Sequence, residues 1–146
     1  MKSELLHEHD GLRVFVVVLA TGEEVVRNLT LFASNERLAA SEFTAIGAFQ
    51  RAVVAYFDWE SKRYSPIPID EQVEVLSLIG DITIDGQSPK IHAHVVVGKR
   101  DGSAHGGHLM EGHVRPTLEV VVTELPRHLH RKHDAASGLA LIDPHS

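Results

Sequence analysis

The sequence predicts an α+β fold: a mostly antiparallel sheet of about seven to eight strands with one main helix, near residues 22–34, packed on it. Three observations carry this. Short runs rich in Val, Ile, Phe and Tyr recur along the chain, bounded by Gly, Pro and Asp-Gly turns. One stretch alone, after Thr21-Gly22, spaces its apolar residues with clear helical periodicity. The connections are short and hairpin-like, which suits antiparallel neighbours.

Taken in order, residues 1–10 read as an N-terminal extension, and Leu12–Ala20 (LRVFVVVLA) as a buried central strand. Thr21-Gly22-Glu23-Glu24 fits a capping box, in which the Thr hydroxyl and the Glu carboxylate satisfy N–H groups at a helix start. The helix is expected to run to about Ser34. Val25, Leu29 and Phe32 form its apolar stripe, with Glu23, Glu24 and Arg27 on the wet side. Ser41–Phe49 and Arg51–Asp58 read as two strands, with Gly47 at a bend. Trp59–Lys62 makes a polar turn, and the prolines of Arg63–Pro68 suit a sheet edge. Gln72–Ile84 is a long strand, joined through the Asp85-Gly86 turn to a histidine-bearing strand after Pro89. Arg115–Glu124 is the next strand, and Leu139–Ile142 a last short one before a tail at 143–146. A length of 146 residues fits one domain, so the whole chain, 1–146, is read as a single unit.

The chemistry concentrates between Pro89 and Thr123, which holds five of the eleven histidines. On a strand, His92 and His94 point to one face while Ile91, Ala93, Val95 and Val97 point to the other. A hairpin through Asp101-Gly102 would bring His108 opposite them. Three neutral imidazoles converging on one point suit zinc or a similar divalent metal, with a fourth position open. His105 and His113 are weaker candidates. Glu74 and Glu111 are candidates for a carboxylate near the metal, able to act as a base if the protein is a hydrolase- or lyase-like metal-dependent enzyme. Arg127, Arg131 and Lys132, interleaved with three histidines, form the one locally basic patch. It reads either as a site for phosphate or nucleic acid or as an ordinary solvated loop.

Composition excludes several classes. With no cysteine, disulfides and thiolate metal sites are impossible. A net charge of −6 opposes general attraction to DNA, because that attraction rests on Lys and Arg neutralising phosphates. No apolar run is long enough for a membrane helix, and the N-terminus lacks a signal-like apolar core, so a cytoplasmic location is expected. Neither a nucleophile elbow nor a Walker loop occurs.

Several motifs together resemble a known family, the PPC (plant and prokaryote conserved) domain. They are Thr21-Gly22-Glu23-Glu24 with its helix, Ile46-Gly47-Ala48-Phe49, and Glu74-Val75-Leu76-Ser77-Leu78-Ile79-Gly80. They continue with His92-Ala93-His94, Asp101-Gly102, Gly106-Gly107-His108-Leu109, Glu111-Gly112 and Asp134–Leu141. The resemblance covers nearly the whole chain, and HxH followed by GGHL is its most specific part. It implies a bacterial stand-alone module with an antiparallel sheet of about seven strands, assembling as a homotrimer and carrying a metal at His92, His94 and His108. It also implies a DNA-binding or regulatory role. The Arg-Gly-Arg-Pro core of the family's plant AT-hooks is missing, with only Val114-Arg115-Pro116 present.

Overall fold

A computed structural model of the chain describes residues 1–145, which form nine strands and one helix. The order is β1 (Lys2–His9), β2 (Leu12–Ala20), α1 (Val25–Glu36), β3 (Ala40–Asp58), β4 (Arg63–Ile69), β5 (Val73–Asp85), β6 (Ser88–Gly98), β7 (Ala104–Glu124), β8 (His130–His133) and β9 (Ala140–Asp143). The expected α+β architecture is present, with its boundaries shifted at several places.

The N-terminal extension expected at 1–10 is instead a strand. β1 pairs antiparallel with β2, Lys2 opposite Val18 and His9 opposite Leu12, so it lengthens the sheet at an edge. Of the tail expected at 143–146, Asp143 belongs to β9, and Ser146 lies outside the described residues.

The helix starts later than the capping box predicts. Glu24 is the N-cap, with extended backbone, and its carboxylate accepts from the N–H groups of Val26 (3.0 Å) and Arg27 (2.7 Å). The Thr21 hydroxyl donates to the Pro116 carbonyl instead, and the Glu23 carboxylate accepts from Ala20 N–H. The apolar stripe is as expected: Val25, Leu29 and Phe32 are buried, and the Phe32 ring meets Phe15 edge-on at 5.3 Å. Arg37 in the left-handed conformation ends the helix, its N–H reaching Ala33 and Ser34.

The two strands expected over Ser41–Phe49 and Arg51–Asp58 are one 19-residue strand, β3. Register shifts against β7 on both sides of Phe49 absorb the bend without ending the ladder. β7 is likewise continuous over 21 residues, merging the His108 and Arg115–Glu124 segments. Its first part pairs with β6, its last part with β2, and β3 runs alongside both. Because β3 pairs with β5 and β7, and β6 also pairs with both, these four strands close a ring of pairings. The proline-bearing β4 pairs with β3 alone, which explains how Pro66 and Pro68 are tolerated.

One face of this closed sheet makes the core. Phe43, Phe49, Leu78, Ile82, Val95, Val97, Leu118 and Val122 are buried there, and α1 packs over β6 and β7. The opposite, outer face carries the histidines.

Candidate metal centre

β6 presents the two faces its sequence demands. Ile91, Ala93, Val95 and Val97 are buried, whereas His94 is exposed and His92 half-buried on the outer face. The β6–β7 connection is a tight loop: Lys99 N–H donates to Ser103, Gly102 N–H donates to Lys99, and the Asp101 carboxylate accepts from Ser103 N–H and Oγ. This loop sets His94 directly opposite His108. Gly106 lets β7 approach β6, since a Cβ there would lie 2.9 Å from the Val95 carbonyl oxygen, and Gly107 does the same toward β3, 2.7 Å from the Ala55 carbonyl oxygen.

The three imidazoles converge. Ring centroids are 5.2 Å apart for His92–His94, 5.3 Å for His92–His108 and 5.6 Å for His94–His108. One nitrogen from each ring falls within 4.8 Å of the others, a spread that small side-chain rotations would close to the ~3.4 Å between two nitrogens on a tetrahedral zinc-class ion. His108 Nδ1 is buried and has no hydrogen-bond partner, a costly state that a metal ligand bond would relieve. Burial holds the His108 imidazole down at about 4, helped by the charges of His92, His94 and Lys90. Burial and the neighbouring His92 also lower His94. Both rings are thus held in the neutral form that binds metal. The donor set fits a borderline divalent ion.

The sequence model of the Plants and Prokaryotes Conserved (PCC) domain matches residues 6–126. The chain belongs to this family, the PPC domain. Its structure is similar to that of a metal-containing protein from Archaeoglobus fulgidus, with 35% identity, 88% of this chain and 91% of that chain covered, and a TM-score of 0.83. A candidate DNA-binding protein from Ralstonia eutropha JMP134 is similar at 28% identity, with 88% and 90% covered and a TM-score of 0.83. By sequence the chain is 30% identical over 131 residues to the bifunctional protein GlmU of Synechococcus sp. (strain JA-3-3Ab). That match takes in 88% of this chain and spans only 20% of the curated relative's length.

The carboxylate beside the PPC histidines is neither Glu74 nor Glu111. Glu74 pairs with Gly98, seven residues along β5 from the position facing His92, which is roughly 23 Å at the rise of an extended strand. Glu111 lies 3.5 Å from His113 Nε2, and His113 in turn contacts Arg51. The carboxylate at the site is Asp81, directly opposite His92 in the β5–β6 ladder, with Oδ2 3.2 Å from His92 Nδ1. The sequence held the signal. Once Asp85-Gly86 is read as a tight hairpin, counting back along both strands places residue 81 across from residue 92.

The basic patch is not presented as a unit. Arg127 and Lys132 are exposed, but the Arg131 side chain is only 7% exposed and points inward. Its Nη2 donates to Asp81 Oδ1 at 2.5 Å, its Nε to Thr83 Oγ1 at 2.7 Å and its Nη1 to the Ala140 carbonyl at 2.8 Å. Burial raises the Asp81 carboxyl, but hydrogen bonds from His92 and Arg131, with the Arg131 charge, outweigh it and hold the group below its ordinary range. Tyr64, which sequence reasoning placed only on an edge strand, stacks on His108. Beside the histidines an open cleft of about 440 Å³ is lined by Glu42, Thr44, Ile79, Asp81, His92 and His94.

Proposed function

We infer that this PPC domain is a regulatory module that binds one zinc-type divalent ion through His92, His94 and His108. The convergence of three imidazoles, one with an orphaned buried nitrogen, carries the reading. The similarity to a protein described as metal-containing supports it. When bound, such an ion supplies Lewis acidity and an open coordination position beside the cleft. Hydrolase- or lyase-like chemistry has less support, because Glu74 and Glu111 stand away from the histidines and Asp81 is engaged by His92 and Arg131.

The test is metal analysis of protein purified without a histidine tag. About one equivalent of ion per chain is expected, lost in His92→Ala and in His108→Ala. Protein that takes up no zinc when it is supplied sinks the reading.

A DNA-binding role is the second reading, favoured by the similarity to a candidate DNA-binding protein. Against it stand the net charge of −6 and the commitment of Arg131 to Asp81. Duplex binding that weakens steeply as salt rises supports it, and absence of binding at low ionic strength removes it. Assembly as a homotrimer is part of the proposal, supported by a row of apolar side chains left uncovered on the outer face.

A further inference from the structure

The side chains around Asp81 form a chain of contacts that neither the metal reading nor the DNA reading requires. β8 is bound to β5 by one short parallel bridge, Ile84 opposite His130, supplemented by the bond from Ile84 N–H to the Leu129 carbonyl. β8 and β9 then pair with each other from His130–Asp143 to His133–Ala140. This C-terminal hairpin is therefore a small appendage, short in backbone contact with the rest of the sheet. A further backbone bond runs from Leu129 N–H to the Ala39 carbonyl, and Arg131 adds the side-chain contacts to β5. All three kinds of guanidinium nitrogen are used: one on Asp81, one on the buried Thr83 hydroxyl and one on the Ala140 carbonyl of the hairpin itself.

On the far side of the same carboxylate stands His92. Asp81 uses Oδ1 for Arg131 and Oδ2 for His92 Nδ1. A carboxylate held by a guanidinium accepts, and does not donate, so the proton between Asp81 and His92 lies on Nδ1. That leaves Nε2 of His92 with its lone pair free. Partners of this kind fix the tautomer and the ring angle of a metal-binding imidazole, and their loss commonly weakens metal binding about 10-fold to 100-fold.

We propose that Asp81 and Arg131 are positioning residues for the His92 ligand, and that through them the docked β8–β9 hairpin governs how tightly the site holds its metal. This rests on the three-histidine reading of the site. It adds to that reading a role for a segment beyond residue 126, where the match to the family model stops. It also removes Arg131 from the anion patch and gives it a role inside the molecule. Because coupling between two sites is reciprocal, a metal that binds more tightly when the hairpin is docked must also hold the hairpin down.

The experiment uses the full chain, untagged and stripped of metal, titrated with zinc against a chromophoric chelator and with cobalt(II) followed by its visible absorption. The variants are Asp81→Asn and Arg131→Met, with Lys132→Met as a control that removes an exposed positive charge from the same strand. Asp81→Asn should weaken zinc about 10-fold to 100-fold and alter the cobalt spectrum. Arg131→Met should show a smaller loss in the same direction, and Lys132→Met should match wild type. Long-range proton–nitrogen spectra of the metal-free wild type should show His92 protonated at Nδ1.

If Asp81→Asn is too unstable to study, the wild type alone decides. Zinc should slow amide exchange at residues 130–133 and 140–143, none of which is a direct ligand. Wild-type protein that binds zinc with an unchanged affinity in Asp81→Asn, a proton on Nε2 of metal-free His92, or exchange in the hairpin indifferent to zinc each overturn the inference while leaving the metal site intact. Wild-type protein that binds neither metal overturns both.

Discussion

Tyr64 lies against His108 with ring centroids 4.6 Å apart and planes 28° from parallel. The tyrosine comes from the edge strand β4, where it pairs with Phe57 of β3 at a centroid distance of 5.2 Å. The His108 ring thus has the Tyr64 ring stacked on it and the His92 and His94 rings at 5.3 and 5.6 Å.

Removing the Tyr64 ring should loosen the ligand before it loosens the fold. Tyr64→Ala is expected to cost at least about 0.5–1.5 kcal/mol in urea unfolding, the worth of one such ring contact beyond the area it buries. It should also weaken zinc binding several-fold, because His108 gains freedom it must give up on coordination. Tyr64→Phe keeps the stack and should bind as wild type does. Equal zinc affinity in Tyr64→Ala and wild type would show that the stack contributes only packing.

The lowered His108 also dictates a pH dependence for the metal-free protein. In the folded state its imidazole stays neutral down to about 4, held there first by burial and then by the charges of His92, His94 and Lys90, whereas an unfolded chain takes up the proton near 6.5. Above about 6.5 both states are neutral and the group is silent. As pH falls from there toward 4 the unfolded state binds more protons, so stability must fall. Burial shifts His94 in the same direction and adds to the slope. Urea unfolding of metal-free protein between pH 7 and pH 5, above the range where most carboxylates titrate, should show this decline. His108→Asn should flatten it. A variant whose stability declines as steeply as wild type would mean that other groups own the effect.

Much of this site could be read before any coordinates, because strands and hairpins obey arithmetic. The alternation of His92, His94 and the apolar residues between them settled which rings share a face, and the Asp101-Gly102 loop settled that His108 returns opposite. Tertiary pairing was less legible. That Ser41–Phe49 and Arg51–Asp58 are one strand depends on β7 lying beside both halves and absorbing the register shifts, which no local pattern records. Residues 1–10 carry strand-like alternation too weak to stand apart from a loop, and they are extended because β2 offers them a partner. Arg131 looked like a surface charge because its sequence neighbours are polar. Its buried place follows from Asp81, fifty residues away.

Glu124 gives a separate test of the framework that carries the site. The side chain ends β7 and is only 5% exposed, yet it is fully employed: it accepts from the Ala39 N–H at 3.0 Å, the Ala40 N–H at 3.2 Å and the Ser41 hydroxyl. These bonds clamp the connection from α1 into β3. Glu124→Ala orphans three donors in a buried place, and leaving each such group unpaired costs about 1–3 kcal/mol. A loss of roughly 3 kcal/mol or more is therefore expected in equilibrium unfolding, with Glu124→Gln milder because one oxygen remains to accept. A loss below about 1 kcal/mol for the alanine variant would show that water replaces the carboxylate.

The outer face bears on assembly. Ile46 is 61% exposed, Leu76 and Ile79 are each 55% exposed and Val121 46%, and all four line one shallow depression at the middle of the sheet. A central sheet face this apolar costs free energy while it faces water, and in single-chain proteins such patches are usually small. In a closed three-fold ring a different patch of the neighbouring copy covers this face, and the same contact repeated three times removes the cost for every copy. Ile79 is also opposite His94 in the β5–β6 ladder and lines the cleft beside the histidines, so this apolar face and the histidine cluster adjoin. Ile79→Asp should leave the isolated chain folded, because the side chain is exposed there. It should convert a species of three times the 16.1 kDa chain mass into one of single-chain mass in light scattering after size exclusion. Wild-type protein that already runs at single-chain mass at tens of micromolar would show that the apolar face is left open to water or to a different partner.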